Sequence, residues 1–320
     1  MRVLVVGDFI LDKFIWGKVE RISPEAPVPV VDVQRESFVP GGALNVANNI
    51  HALGGKAIPC GVVGADPEAR ILFRILRQKK IEQGGVLQDS KRPTTVKTRI
   101  IAHAQHVVRF DRELAADISP EALKKILQFV RQKLKQSDGL IIEDYGKVVI
   151  QPSLLKKIIR LAWLQGKPVL VDPKDKNFPY YTGVTLGTPN RKEAYEAFGP
   201  HHGTRTLEQV GAGILKKLKC RGALVTLGEK GMALFEQRKP VLIIPAFARE
   251  VFDVSGAGDT VIAAMGLALA SGAALREAAF ISNLAAGIVV GKLGTATASI
   301  AELLQIINSS KLEVRGSKKK

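Results

Sequence analysis

The chain has 320 residues, 46% of them hydrophobic, and a formal charge of +17 from 47 Lys and Arg against 30 Asp and Glu. Such a length and apolar content exclude disordered, collagen-like and coiled-coil chains and allow one large core or two modest ones. The charge calls for anionic partners such as nucleotides, sugar phosphates, nucleic acid or an acidic membrane surface, without choosing among them.

The amino end opens with Arg2 to Val6, a continuous apolar run closed by Gly7-Asp8, as expected for a strand covered on both faces in a parallel sheet. Ligands bind at the carboxyl ends of such strands, where Asp8 and Asp12 fall. Asp12 is a candidate for holding sugar hydroxyls, and Asp8 is either a second such group or a turn former. The run is too short for a signal peptide. Residues Phe14 to Pro40 contain Pro24, Pro27 and Pro29, which prevent a helix. Val28 to Val33 is expected to be an edge strand within a lid or arm that needs a partner, and a dimer contact would supply one. Pro40-Gly41-Gly42 then opens a helix whose first turn is stripped of side chains, so a polyhydroxylated ligand can approach the backbone. Asn45 and Asn49 share a face of that helix.

Lys56 to Val63 is the next buried strand, and Asp66-Pro67-Glu68 caps a helix over Ala69 to Lys80. Thr94 to Ile101 and Val107 to Asp111 alternate as a hairpin turning around His103 to His106. Its Lys97, Arg99 and Arg109 are either solvated cations or a cradle for a substrate phosphate. Ser119-Pro120 starts an amphipathic helix, and the strand Gly139 to Ile142 ends at Glu143-Asp144-Tyr145-Gly146-Lys147. Helix Pro152 to Gln165 leads to a strand ending at Asp172-Pro173-Lys174, and strand Val184 to Gly187 leads to Asn190 and Glu193, one helical turn apart and able to order metal-bound water.

Helix Leu207 to Leu218 and strand Gly222 to Leu227 precede Gly228-Glu229-Lys230-Gly231, a turn on whose backbone a nucleotide can lie. After a hairpin from Gly231 to Pro245 comes Asp253-Val254-Ser255-Gly256-Ala257-Gly258-Asp259-Thr260, directly followed by an apolar helix from Val261. A Gly-Ala-Gly turn at a helix start aims backbone N–H groups and the helix dipole at one point, which makes an anion hole. Asp259 in the first turn is then a base for an attacking hydroxyl, or, in the simpler reading, a residue countering the dipole. Arg276 and Glu277 divide the apolar stretch Val261 to Gly291 into two buried helices rather than a membrane span.

Cys60 and Cys220 lie far apart without metal-ligand spacing, so reduced, buried thiols and a cytoplasmic location are expected. Many cations, such as Lys124, Lys125, Lys133 and Lys135, fall at helical spacing on solvated faces. Aromatic residues make up 6% of the chain and no nucleic-acid motif occurs, so neither nucleic acid nor membrane is an expected partner. Strands alternate with helices to Val290, which predicts one α/β domain over residues 1–310, a doubly wound, mostly parallel sheet flanked by helices. A small β lid is expected from about 13–40 and 94–112, and residues 311–320 are expected to form a basic, disordered tail.

Gly41-Gly42-Ala43-Leu44-Asn45, Asn190 with Glu193, Thr226-Leu227-Gly228-Glu229-Lys230-Gly231 and Asp253 to Thr260, in that order, resemble the motifs of the ribokinase-like (PfkB) carbohydrate kinases. Arg21 to Val30, Asp144-Tyr145-Gly146-Lys147, Asp172-Pro173-Lys174 and Gly287 to Thr295 look most like the heptose 7-phosphate kinases within them. The resemblance implies a catalytic base at Asp259 and an anion hole at Gly256, Ala257 and Gly258. It implies sugar contacts at Asp12, Gly41, Gly42, Asn45 and Asp144, beside the Lys97, Arg99 and Arg109 cations that the hairpin offers to a substrate phosphate. Nucleotide contacts fall at Lys174, Asn190, Thr226, Gly228, Gly231 and Asn283, Mg2+ at Glu193 through water, and a monovalent cation, K+, at Asp253. ATP is the implied cosubstrate, a homodimer through the lid the implied assembly, and the kinase step of ADP-heptose synthesis the implied reaction, with no HxGH motif of a nucleotidyltransferase in the chain. The alternatives are a kinase for another sugar, sugar phosphate or nucleoside, and a non-catalytic binding protein on the same fold.

Overall fold

The computed structural model describes residues 1–103, 105–147, 149–198, 205–247, 250–292 and 294–317, with side chains described as far as residue 309. Its centre is a parallel sheet started by β1 (Arg2–Gly7), whose side chains alternate between two cores. Val3 and Val5 point into one apolar layer, Leu4 and Val6 into the other. A strand buried on both faces has no use for polar residues, which accounts for the unbroken apolar run.

Two strands then leave the main sheet. β2 (Phe9–Ile22) and β3 (Pro29–Gly42) form an antiparallel ribbon of 14 residues each, longer than the short edge strand expected at Val28 to Val33. The prolines do not forbid this, because Pro24 and Pro27 fall in the tip and Pro29 begins an edge strand, where a missing donor costs no ladder bond. The chain returns through α1 (Ala43–Ala52) to β4 (Lys56–Gly64), which pairs with β1 on one side. Helix α2 (Pro67–Gln78) is capped by Asp66, whose carboxylate accepts from the Ala69 amide. A short parallel edge strand, β5 (Gly85–Asp89), follows.

β6 (Thr95–Ala102) and β7 (Gln105–Arg112) join the ribbon, giving a four-stranded lid sheet in the order β3-β2-β6-β7. Residue 104, in their connecting turn, lies outside the described residues. Helix α3 (Pro120–Leu134) then delivers β8 (Gly139–Glu143) to the free side of β1. After α4 (Pro152–Leu164) the sheet grows outward from β8 through β9 (Val169–Asp172), β10 (Leu186–Gly187) and β11 (Gly222–Thr226). The last two are separated by α5 (Arg191–Glu196) and α6 (Leu207–Leu218). The antiparallel hairpin β12 (Met232–Glu236) and β13 (Leu242–Ile244) closes the edge.

Among the described residues the main sheet has nine strands in the order β13-β12-β11-β10-β9-β8-β1-β4-β5. Helices α7 (Ala257–Ala270) and α8 (Leu275–Val290) pack on the face that carries α1, with α3, α4 and α6 on the other. Growth runs one way from β1 to β4 and the other way from β8, so the switch point lies between β1 and β8. Their carboxyl ends open the crevice where ligands bind in such folds. A final helix, α9 (Ile300–Ser317), was not anticipated, and residues 311–317, expected in a disordered tail, continue it. Residues 318–320 of that tail lie outside the described set.

Candidate active site

Two helices start at the switch point, and neither has a side-chain cap. Gly42 precedes α1 at φ 58°, and Gly256 precedes α7 at φ 78°. The Ala43 and Ala257 amides donate to the Asp8 and Val254 carbonyls at 3.0 and 3.2 Å, while the lack of a side-chain cap leaves the amides that follow them open to an anion. Glycine holds the left-handed backbone that other residues resist. Both segments are joined by side chains. Asn45 Nδ2 donates to Asp259 Oδ2 at 2.6 Å, and Thr260 Oγ1 donates to Asn49 Oδ1 at 2.9 Å. The shared face of Asn45 and Asn49 thus locks α1 against α7, with all four side chains buried.

Asp259 stands at the centre of this junction. Tyr145 donates its hydroxyl to Asp259 Oδ1 at 2.8 Å. Burial pushes the Asp259 carboxyl up to about 6, against the opposing pull of the bonds from Asn45 and Tyr145. A carboxylate at that value is ionised at neutral pH and still basic enough to take a proton. Burial and the nearby Asp259 and Glu143 charges hold the Tyr145 phenol well above its usual range, so it acts as a donor.

On the sugar side, Asp12 in β2 forms an ion pair with Arg99 in β6. A Cβ on Gly41 would lie 2.2 Å from Asp12 Oδ2, so the bare backbone at 41 makes room for that carboxylate. Lys97 Nζ lies 4.8 Å from the centre of the Tyr145 ring, and burial lowers its pKa. Arg109 faces Arg99 across the hairpin register but is exposed and pairs with Asp111, which itself lies opposite Lys97.

Asp144 and Asp8 turn away from the crevice. Asp144, expected as a sugar contact, is buried and accepts from the Gly146 amide, Asn177 and Tyr181. Three donors from within the protein share its two oxygens. Asp8 accepts from the amides of Tyr145, Lys147 and Val149, and burial pushes it up to about 6. Of the two readings open for Asp8, the structure shows the turn-forming one. Tyr145 is the residue of this loop whose side chain bonds Asp259, and sequence spacing alone gave no reason to prefer it over Asp144.

The far side of the crevice carries the remaining polar residues. Asn190 and Glu193 form a reciprocal capping box on α5, and Lys174 pairs with the second oxygen of Glu193. Burial opposes the charge on Lys174, but Glu193, Asp172 and Glu143 outweigh it and raise its pKa. Asn190 bridges to Thr226 at the end of β11, and Gly228 and Gly231 take φ values of 63° and 87° in the turn that follows. Asn283, on α8, donates to the Pro245 carbonyl at 2.8 Å. Asp253 accepts from the Ser255 amide at 2.8 Å, which shapes the turn into Gly256.

Glu143 and Asp172 end adjacent strands in register. Burial pushes Asp172 up to about 8, helped by the Glu193 and Asp259 charges, and raises Glu143 strongly, helped by Asp172. Neither oxygen of Glu143 has a hydrogen-bond partner among the described residues. Two acids so close and so dry share a proton or await a cation. No ready-made cage of three or more His, Cys, Asp or Glu occurs among the described residues. Carboxylate oxygens such as those of Glu143 and Asp172 are ligands of the kind a hard divalent cation such as Mg2+ takes.

Residues 2–302 match the profile of the pfkB family carbohydrate kinases. "Bifunctional protein HldE" of Wolinella succinogenes is 44% identical over 309 residues, covering 96% of this chain and 65% of that protein. The same-named protein of Geobacter metallireducens is 45% identical over 305 residues, covering 95% of this chain and 62% of its own length. The chain thus spans somewhat less than two thirds of these curated relatives. Among solved structures, phosphofructokinase-2 from Escherichia coli in complex with potassium superposes with a TM-score of 0.78 at 20% identity, covering 96% of this chain and 97% of its own. Ribokinase from Arabidopsis thaliana complexed with ribose and ATP gives 0.74 at 20% identity, with 95% and 97% covered. Those two likenesses establish a ribokinase-like fold. With the family profile spanning nearly the whole chain and an acid seated at the glycine turn, this chain belongs to the pfkB family of ATP-dependent carbohydrate kinases.

Proposed function

We propose that the chain transfers the γ-phosphoryl group of ATP to the anomeric hydroxyl of D-glycero-β-D-manno-heptose 7-phosphate, giving the 1,7-bisphosphate. The observation that carries the reaction is Asp259, buried in the first turn of an uncapped helix and held by two donors. Asp259 accepts the proton as the acceptor O–H bond breaks, the new O–P bond forms, and the bond from the γ-phosphorus to the bridging oxygen releases ADP. The Gly256 and Gly258 amides stabilise the charge on the moving phosphoryl group, and the Ala257 amide, which donates to the Val254 carbonyl, joins them only by giving up that bond. Asp12, Gly41, Gly42 and Asn45 hold the sugar, while Lys174, Asn190, Thr226, Gly228, Gly231 and Asn283 line the nucleotide side. Asp172 and Glu193 would hold Mg2+ through water, and the ion would there neutralise charge on the phosphate oxygens.

Lys97 supports a phosphorylated acceptor: it is half-buried at the lid root, next to Asp12 and Arg99. Arg99 pairs with Asp12, and Arg109, opposite Arg99 on β7, is exposed. Similarity to proteins named HldE supports the heptose. K+ at Asp253 is part of the same proposal, and a homodimer is supported by the edge strand β3 and its exposed Val33 beside the exposed tip residues Ile22 and Val28. No described helix is long and apolar enough to cross a membrane. A cytoplasmic location is supported by Cys60 and Cys220, both free and buried.

The test is ADP release with Mg·ATP across heptose 7-phosphate, unphosphorylated heptose, ribose, fructose 6-phosphate and adenosine, with Asp259→Asn alongside. Turnover confined to the heptose phosphate, and lowered on the order of a hundredfold or more by the substitution, is expected. Turnover on another acceptor would remove the heptose, and an active Asp259→Asn would remove the base.

A further inference from the structure

We propose that Tyr145 is a positioning residue for the catalytic base, its hydroxyl fixing Asp259 Oδ1 while two lysines from opposite sides of the crevice hold its ring. The inference rests on the reading of Asp259 as the base. Asp259 has two oxygens, each in use: Asn45 holds Oδ2 at 2.6 Å and Tyr145 holds Oδ1 at 2.8 Å. Two donors on different oxygens fix the plane of a carboxylate, leaving one lone pair on each oxygen for the incoming hydroxyl.

The loop that carries Tyr145 is itself pinned. Asp8 accepts from the amides of Tyr145, Lys147 and Val149 at 2.9–3.0 Å, and Asp144 from that of Gly146 at 2.7 Å. Charge-assisted bonds from buried carboxylates hold the backbone of residues 145–147 in place. Lys97 Nζ, from lid strand β6, lies 4.8 Å from the ring centre, and Lys174 Nζ, paired with Glu193 on the nucleotide side, lies 6.0 Å from it. Both distances lie within the reach of cation–π attraction. The ring therefore joins the lid, the nucleotide side and the base through one side chain.

Such a donor keeps the base ionised and aimed, so its loss has a signature in pH as well as in rate. The charged groups facing Asp259 are Asp12 from β2, Lys97 from β6, and Glu143 and Asp172 from the ends of β8 and β9. Tyr145→Phe leaves all of them, and the ring, in place and removes the hydroxyl alone.

The experiment compares the parent, Tyr145→Phe, Tyr145→Leu and Asp259→Asn in kcat, KM and the pH dependence of kcat/KM, using whichever acceptor turns over. For Tyr145→Phe the expected result is a kcat lower by roughly tenfold, an acidic limb moved up by about one pH unit, and ATP KM within about twofold. Tyr145→Leu, which also frees the two lysines, is expected to lose more in kcat and to raise KM. If Asp259→Asn is inactive while Tyr145→Phe keeps the parental kcat, or loses rate with the limb unmoved, the positioning role is overturned and the base stands. An active Asp259→Asn would overturn the base and the proposal with it.

Discussion

Gly41→Ala tests the sugar side without touching a charge. A Cβ at residue 41 would lie 2.2 Å from Asp12 Oδ2 and 3.1 Å from its Cγ. Ordinary contact needs over 3 Å, so the carboxylate must retreat by roughly 1 Å. It cannot go far unchanged, because Asp12 is buried and paired with Arg99. The retreat is a rotation of a side chain rather than of backbone, so the fold should lose only on the order of 1 kcal/mol, a few degrees or less in Tm. A misplacement of that size at a polar contact can cost on the order of a hundredfold in a reaction. The expected outcome is therefore a sugar KM raised by roughly tenfold to a hundredfold, with ATP KM unchanged. Steady-state kinetics with each substrate varied, beside a melting curve, would measure it. A parental sugar KM in a variant that melts normally would refute the assignment of Asp12 to the sugar.

Gly256→Ala should behave differently. Its φ of 78° strains any other residue, and the new Cβ would lie 2.8 Å from Asn45 Nδ2, so Tm should fall and kcat should drop by tenfold or more as Asn45 leaves Asp259. Kinetics and melting measured together check this, and an unchanged kcat would refute the Asn45 clamp. Asp172 gives a pH test. Its folded value, pushed up to about 8 from the usual 3.8, means that the folded chain holds a proton the unfolded chain has lost. Its contribution to stability is therefore greatest in acid and is lost as pH rises from about 4 to 8. In metal-free buffer, Asp172→Asn should melt several degrees higher than the parent at pH 8 and show a smaller difference at pH 5. A difference that does not shrink toward acid would refute it.

Much of the fold could be read because its signals are local. The unbroken Arg2 to Val6 run, the Asp66-Pro67 and Ser119-Pro120 caps and the glycine turn before α7 each carry their geometry in a few neighbouring residues. What could not be read depended on partners distant in sequence. β5 is a five-residue edge strand whose only signal is its pairing with β4, and β10 pairs over two residues within a longer expected run. The 14-residue lid strands were hidden by prolines that a tip and an edge accommodate. Within the site, Asp144 and Tyr145 are neighbours with similar sequence credentials. Which one faced the crevice was decided by Asn177 and Tyr181, which claim the acid from more than thirty residues away.

The ribbon of β2 and β3 leaves the main sheet at Asp8 and returns at Ala43, and at its root Asp12 pairs with Val39 and Ile10 with Gly41. Fourteen extended residues reach roughly 45 Å. Mechanically this is a long lever whose fulcrum lies among the residues assigned to the sugar. A tilt of about 5° there would carry the tip roughly 4 Å, so a small settling of the acceptor against Asp12 and Gly41 becomes a large displacement at Pro24 and Pro27. Whatever grips the tip can, by the same arm, bear down on the residues assigned to the sugar.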